Sequence, residues 1–166
     1  HVAEIFTGRE QALDFASEHF TLVFRLRQVC NDHPAIKTFR CGPASMIEIP
    51  TEDQQVSAKY PYVMLIPQPA TITQGSTTYD FDLVVMDLAK DKLDLEERTH
   101  SNTMEILRDI LAKYKMTTWK EFRFNISLPA VATPFFEGYK NSTCGWTVQL
   151  QIEALAPLDH CNNPVA

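Results

Sequence analysis

Residues 78–88 read TYDFDLVVMDL, and their alternation sets the architecture. Tyr79, Phe81, Leu83 and Val85 share one side of a strand, while Asp80 and Asp82 start the other side, which turns apolar at Val84 and Met86. A strand patterned this way is covered along one face and, on the other, wet at one end and covered at the other. Upstream, Tyr62–Ile66 (YVMLI) is almost wholly apolar between Pro61 and Pro67, as expected of a strand buried on both faces. Thr71–Thr73, a turn around Gln74-Gly75-Ser76, and Thr78–Leu88 make a hairpin. Downstream, Trp146, Val148, Leu150, Ile152 and Ala154 alternate with Thr147, Gln149, Gln151 and Glu153, the pattern of a half-buried antiparallel strand. Phe122, Phe124, Ile126 and Leu128 alternate in the same way, and Ile36–Cys41 and Met46–Ile49 are shorter extended runs.

Two helices complete the pattern. From about Arg9 to Cys30 there is no Pro and no internal Gly, and Leu13, Ala16, Phe20 and Val23 recur at three- and four-residue spacing, widened by Leu22, Leu26 and Val29. Pro34 ends this helix. A second helix is expected from about Ser101 to Lys115, capped by Ser101 or Asn102, with Met104, Leu107, Leu111 and Tyr114 as its stripe. The charged run Asp87–Arg98 reads as a loop or a frayed start to that helix, and Pro129–Thr143 as a long aromatic loop without periodicity. The order is α–β–β–β–β–α–β–β. The expected fold is α+β: an antiparallel or mixed sheet of about five to six strands with two helices packed on one face. Residues 1–17 form an amino-terminal arm and residues 18–166 one domain.

Composition excludes several kinds of protein. With 15 Lys+Arg against 21 Asp+Glu in 166 residues, the formal charge is −6, the wrong sign for gripping phosphate backbones. No apolar run approaches the roughly 20 residues that span a bilayer, and no basic-then-apolar leader opens the sequence. The first residue is His1 and not Met, so a processed or omitted segment is expected before it. Cys30, Cys41, Cys144 and Cys161 contain no Cys-x-x-Cys pair, which leaves out a zinc ribbon and a thioredoxin-type motif. They read as reduced and structural, although two disulfides remain open to a secreted chain. The sequons at Asn125 and Asn141 are no enrichment over chance.

Catalytic patterns are weak throughout. His160, Cys161, Cys144 and Asp159 have no metal-ligand spacing. Asp80 and Asp82, with Asp87 at the strand exit, could share a proton or a divalent cation, against the plainer reading of a solvated face. No Gly-x-Ser-x-Gly elbow and no glycine-rich phosphate loop occurs. Phe24-Arg25-Leu26-Arg27 is the nearest approach to a basic aromatic patch, and it reads as the outer face of a helix. An enzyme is not expected, and no cofactor or metal is called for. The positive signal is Phe135, Phe136 and Tyr139, which either fold back on their own sheet or anchor a neighbouring subunit.

Read in order, the segments CNDHPAIKTFRCG (30–42), YPYVMLIPQPATI (60–72), TYDFDLVVMDL (78–88), HSNTMEILRDILAKY (100–114), PFFEGYKNSTCGW (134–146), WTVQLQIEAL (146–155) and DHCNNP (159–164) carry a resemblance. The chain resembles the tail-terminator and tail-completion proteins of tailed bacteriophages, in particular the small neck and tail ring proteins of crAss-like and related marine phages. The match runs from about Glu18 to Pro164, and residues 1–17 have no counterpart in it. The resemblance implies a non-catalytic virion component assembled in the host bacterial cytoplasm. It would form a homo-oligomeric ring at the neck or the top of the tail, touch portal and tail-tube proteins, and surround passing DNA without reading its sequence. A closed ring needs two dissimilar complementary patches on each subunit. Phe135, Phe136 and Tyr139, the loop 50–59 with Glu52, Asp53 and Gln54, and the arm 1–17 are the expected interface. Asp80, Asp82 and Glu153 are candidates for an acidic channel wall or a solvent face. Two other readings stand beside it: a secreted β-rich carrier of small molecules, and an enzyme with a metal at Asp80 and Asp82.

Overall fold

A computed structural model describes residues 18–44, 59–89, 93–118, 124–138 and 143–155. The chain is α+β, and its described residues form two helices and one mixed seven-stranded sheet. Helix α1 (Glu18–Asp32) leads into β1 (Thr38–Cys41), then β2 (Tyr62–Pro67), β3 (Thr71–Ile72) and β4 (Ser76–Leu88). Helix α2 (Leu93–Thr118) follows, then β5 (Phe124–Ile126), β6 (Ala132–Gly138) and β7 (Thr143–Leu155). The sheet runs β1-β2-β4-β7-β5, with β3 added beside β4 and β6 beside β7. Among the described strands only β1 and β2 pair in parallel, and the other pairings are antiparallel.

The spine of the sheet is the β4–β7 ladder, unbroken from Ser76↔Leu155 to Leu88↔Thr143. Because side chains alternate across a strand, this register fixes the whole distribution of residues between faces. On the first face Phe81 opposes Leu150 and Leu83 opposes Val148, with Val63 and Leu65 of β2 beside them. Both helices pack here: Leu22, Leu26, Val29 and Cys30 of α1, and Ile106, Leu107, Ile110 and Tyr114 of α2, join these strand residues in one buried core. Spacings of four and three residues put each helical set on a single stripe.

The other face carries a second, smaller core. Tyr62, Met64, Ile66, Val84 and Met86 are buried there, with Tyr60 and Phe135 packed against them. The covered end begins at Val84, and Asp80 and Asp82 lie half-buried beyond it, as the alternation of 78–88 requires.

Two features depart from the sequence reading, and other expected elements lie outside the described residues. The sheet has seven strands, because the stretch expected to be a loop contains β6, paired to β7 from Ala132↔Val148 to Gly138↔Thr143. Helix α2 begins at Leu93, so Ser101 and Asn102 lie inside it and neither caps it. The charged run supplied no apolar stripe, yet its Leu, Glu and Arg are strong helix formers. Finally, Met46–Ile49 and the part of the first helix before Glu18 lie outside the described residues, as does the arm 1–17.

Gly145 is where the spine is tightest. It is buried between Met86 on β4 and Phe135 on β6. A Cβ at this position would collide with the Val85 carbonyl oxygen and press on the Met86 backbone. Backbone, unlike a side-chain tip, has little room to retreat in a close-packed sheet. Gly145→Ala is therefore expected to destabilise the fold by about 2–4 kcal/mol, measured by denaturant titration. A change within about 0.5 kcal/mol would refute this account of the β4–β7 approach.

Candidate functional site

His100, on the first half of α2, ties three elements together. It is buried, and its Nε2 lies 3.0 Å from the Phe135 carbonyl oxygen on β6. A carbonyl only accepts, so Nε2 carries the hydrogen and donates it. The His100 carbonyl in turn accepts from Trp146 Nε1 on β7 at 2.8 Å and from the Thr103 hydroxyl at 3.1 Å. The Trp146 ring meets the imidazole edge-on at 5.7 Å, and the Phe136 ring lies 4.4 Å from it. Helix, inner strand and outer strand are thus pinned at one residue.

The knot separates the two adjacent phenylalanines. Phe135 turns to the second face and packs on its core, the fold-back alternative of the sequence reading. Phe136 is 62% exposed, held by the imidazole beneath it. Leu128 and Val131, on the approach to β6, are exposed as well. Among the described residues β6 pairs only with β7, so it is an edge strand, and Pro134 within it suits an edge. Three exposed apolar side chains thus stand on and just before an edge strand, a ledge that is a candidate interaction surface. Tyr139, Glu52, Asp53 and Gln54 lie outside the described residues.

The acidic trio does come together. In the β4–β7 register Thr78 opposes Glu153, Asp80 opposes Gln151 and Asp82 opposes Gln149, so Asp80, Asp82 and Glu153 occupy one face, opposite the helices. Asp82 accepts from Gln68 Nε2 at 3.0 Å. No group of three or more His, Cys, Asp or Glu among the described residues is arranged to hold a metal ion. Asp87 belongs to the other face and does not join the trio.

The arginines of α1 are engaged within the molecule. The Arg25 guanidinium stands 5.6 Å from the Phe124 ring centre, and Arg27 stands 5.6 Å from that of Phe39. Such cation–π packing serves the edges of the sheet rather than a phosphate backbone. Among the described residues Cys30, Cys41 and Cys144 form no disulfide. Cys161 and His160 lie outside the described residues. No described helix is long and apolar enough to cross a membrane. No family model matches this chain, and no curated protein matches it.

Sequence reasoning missed His100, whose partners lie 35 and 46 residues away. The aromatic pair beside Pro134 was the only local signal.

Two measurements follow from these environments. Burial pushes the Asp87 carboxyl above the usual carboxylate range, opposed by the hydrogen bond it accepts from the Leu88 N–H at 2.8 Å. The folded chain therefore holds this proton more tightly than the unfolded one. Stability present at low pH is lost as pH rises through the folded value. Asp87→Asn keeps the acceptor without the charge, so its melting temperature should exceed wild type at pH 8 by up to a few degrees. The gain should vanish toward pH 4; a wild-type chain that melts higher at pH 8 would contradict it. Burial likewise pushes the Cys30 thiol up to about 12, and Cys144 is fully buried. Alkylation of the native protein at pH 8, mapped by mass spectrometry, should label half-exposed Cys41 well before either. Equal labelling rates would show that the core opens freely.

Proposed function

We propose that this chain is a non-enzymatic ring subunit of a tailed-phage virion, acting at the neck or the top of the tail as a tail terminator or head–tail connector. The observation that carries the reading is the Phe136 ledge: an exposed aromatic ring on an edge strand, packed against the His100 imidazole. An anchor already fixed in place loses little side-chain freedom on docking, so more of its burial appears as affinity. The α+β architecture, with both helices on one face, suits the resemblance carried by residues 30–164.

The reading extends to partners. Copies of the chain would close head to tail around the axis joining portal and tail tube, each contact burying well over ~1,000 Å². Asp80, Asp82 and Glu153 would give the ring an acidic surface away from its helical side, and a net charge of −6 repels rather than retains passing DNA. The carrier alternative loses support from its cysteines. Among the described residues Cys30, Cys41 and Cys144 form no disulfide, which leaves the two-disulfide framework behind it without support.

Light scattering and negative-stain imaging of purified protein should reveal closed rings, or rings induced by phage tails. Phe136→Asp should weaken subunit association at least tenfold while leaving the melting temperature within about 2 °C, since the ring is mostly in solvent. Protein that stays monomeric at all concentrations and ignores tails and portals would overturn the proposal.

A further inference from the structure

Phe135 and Phe136 are adjacent and carry the same side chain, yet Phe135 packs on the second core and Phe136 stands in water. The register of β6 allows the opposite choice. Ala132 to Phe135 face Val148 to Gly145 one for one, and pairing resumes at Gly138↔Thr143. Phe136 and Glu137 therefore share the place opposite Cys144, a β-bulge of one extra residue. Moved one position toward Pro134, the same bulge would set Phe136 opposite Gly145 and make Phe135 the extra residue. Ala132 to Pro134 and Gly138 would keep their partners. The second core would still receive a phenylalanine, because the two side chains are identical. The ladder alone does not decide which of them reaches the surface.

His100 distinguishes the two arrangements. Its Nε2–H donates to the Phe135 carbonyl at 3.0 Å, and its ring lies 4.4 Å from that of Phe136. With the bulge moved, the carbonyl at that place would belong to Phe136, so the hydrogen bond would survive. The ring contact would not: Glu137 would follow the bonded carbonyl and take the place above the imidazole. A neutral imidazole face packs well on a phenyl ring and gains little from a solvated carboxylate. The imidazole also keeps its own place without Phe136. It is 8% exposed within α2, its backbone carbonyl accepts from Trp146 Nε1, and Trp146 lies on the unbroken β4–β7 ladder.

We infer that His100 is the positioning residue of the ledge: its ring face fixes the bulge of β6 so that Phe136, and not Phe135, is offered to a second copy of the chain. This rests on the ring reading above and adds what selects its contact residue. His100 acts through Phe136.

The test places 4-fluorophenylalanine at position 136 alone in the full chain and records its fluorine NMR spectrum. Wild type should show one resonance, near that of a solvent-exposed ring. His100→Gln keeps a donor for the carbonyl and removes the ring, so a second resonance of comparable intensity, from a buried ring, should appear. Glu137→Phe changes neither His100 nor either core and offers the imidazole a ring in both arrangements. It too should give two resonances, which keeps the test open where His100→Gln does not fold. In light scattering each variant should weaken ring formation about twofold, the share of chains that present the wrong phenylalanine. His100→Gln should add no loss once Phe136→Ala is present. A single unmoved resonance in folded His100→Gln, or in Glu137→Phe, would overturn the inference whatever the melting temperature, since a merely structural His100 changes stability without moving the bulge. Wild-type chains that form no rings would overturn the ring reading alone, and the spectra would still decide the position of the bulge.

Discussion

Thirteen consecutive residue pairs between β4 and β7 hold this molecule in register. Shifting that ladder by one position would send Phe81, Leu83 and Val85 to the face of Asp80 and Asp82, and would strip both helices of their seat. Leu22, Leu26 and Val29 of α1 and Leu107, Ile110 and Tyr114 of α2 find a continuous apolar floor only because β2, β4 and β7 present theirs together. The close approach at Gly145 belongs to the same constraint, since it lets the central strands meet where a side chain would hold them apart.

A sheet with cores on both faces uses its edges differently from one with a solvated back. The Met64, Val84 and Met86 cluster draws Phe135 over Gly145 toward the second face. The next residue, Phe136, is then left on the side of α2, above His100. One aromatic completes a core while its neighbour stands in water. The irregular register between Phe135 and Gly138 belongs to the same stretch, and bulged edges of this kind commonly re-aim a side chain.

How much of this was legible in the sequence varied with how local the signal was. The two faces of β4 could be read from Asp80 through Met86, because alternation along a strand is a property of a few adjacent residues. The same holds for β7, but the helix stripes were legible only in part: Leu22, Leu26, Val29, Leu107 and Tyr114 are buried as expected, whereas Phe20 is exposed and the buried Ile106 and Ile110 were not singled out. Strand β6 was hidden because the irregularity after Phe135 breaks period two and Pro134 imitates a loop. The start of α2 was hidden because its first turns are charged, and helix propensity there speaks without an apolar stripe. His33 was visible only as the residue before Pro34, yet it bonds Asp109, 76 positions away. His100 was visible only as the first residue of a resembling segment. Nothing in a linear pattern announces such pairings, because they depend on where the sheet places distant elements.

The polar pins and the apolar spine are therefore not independent contributions. Trp146 can donate to the His100 carbonyl only while β7 keeps its register, and His100 can hold the Phe135 carbonyl only while α2 stays seated on that strand. A buried imidazole with no acceptor would cost on the order of 1–3 kcal/mol, so the arrangement favours the whole set over any part of it. The consequence reaches the surface. Phe136 inherits its orientation from a hydrogen-bonded chain that begins in the sheet.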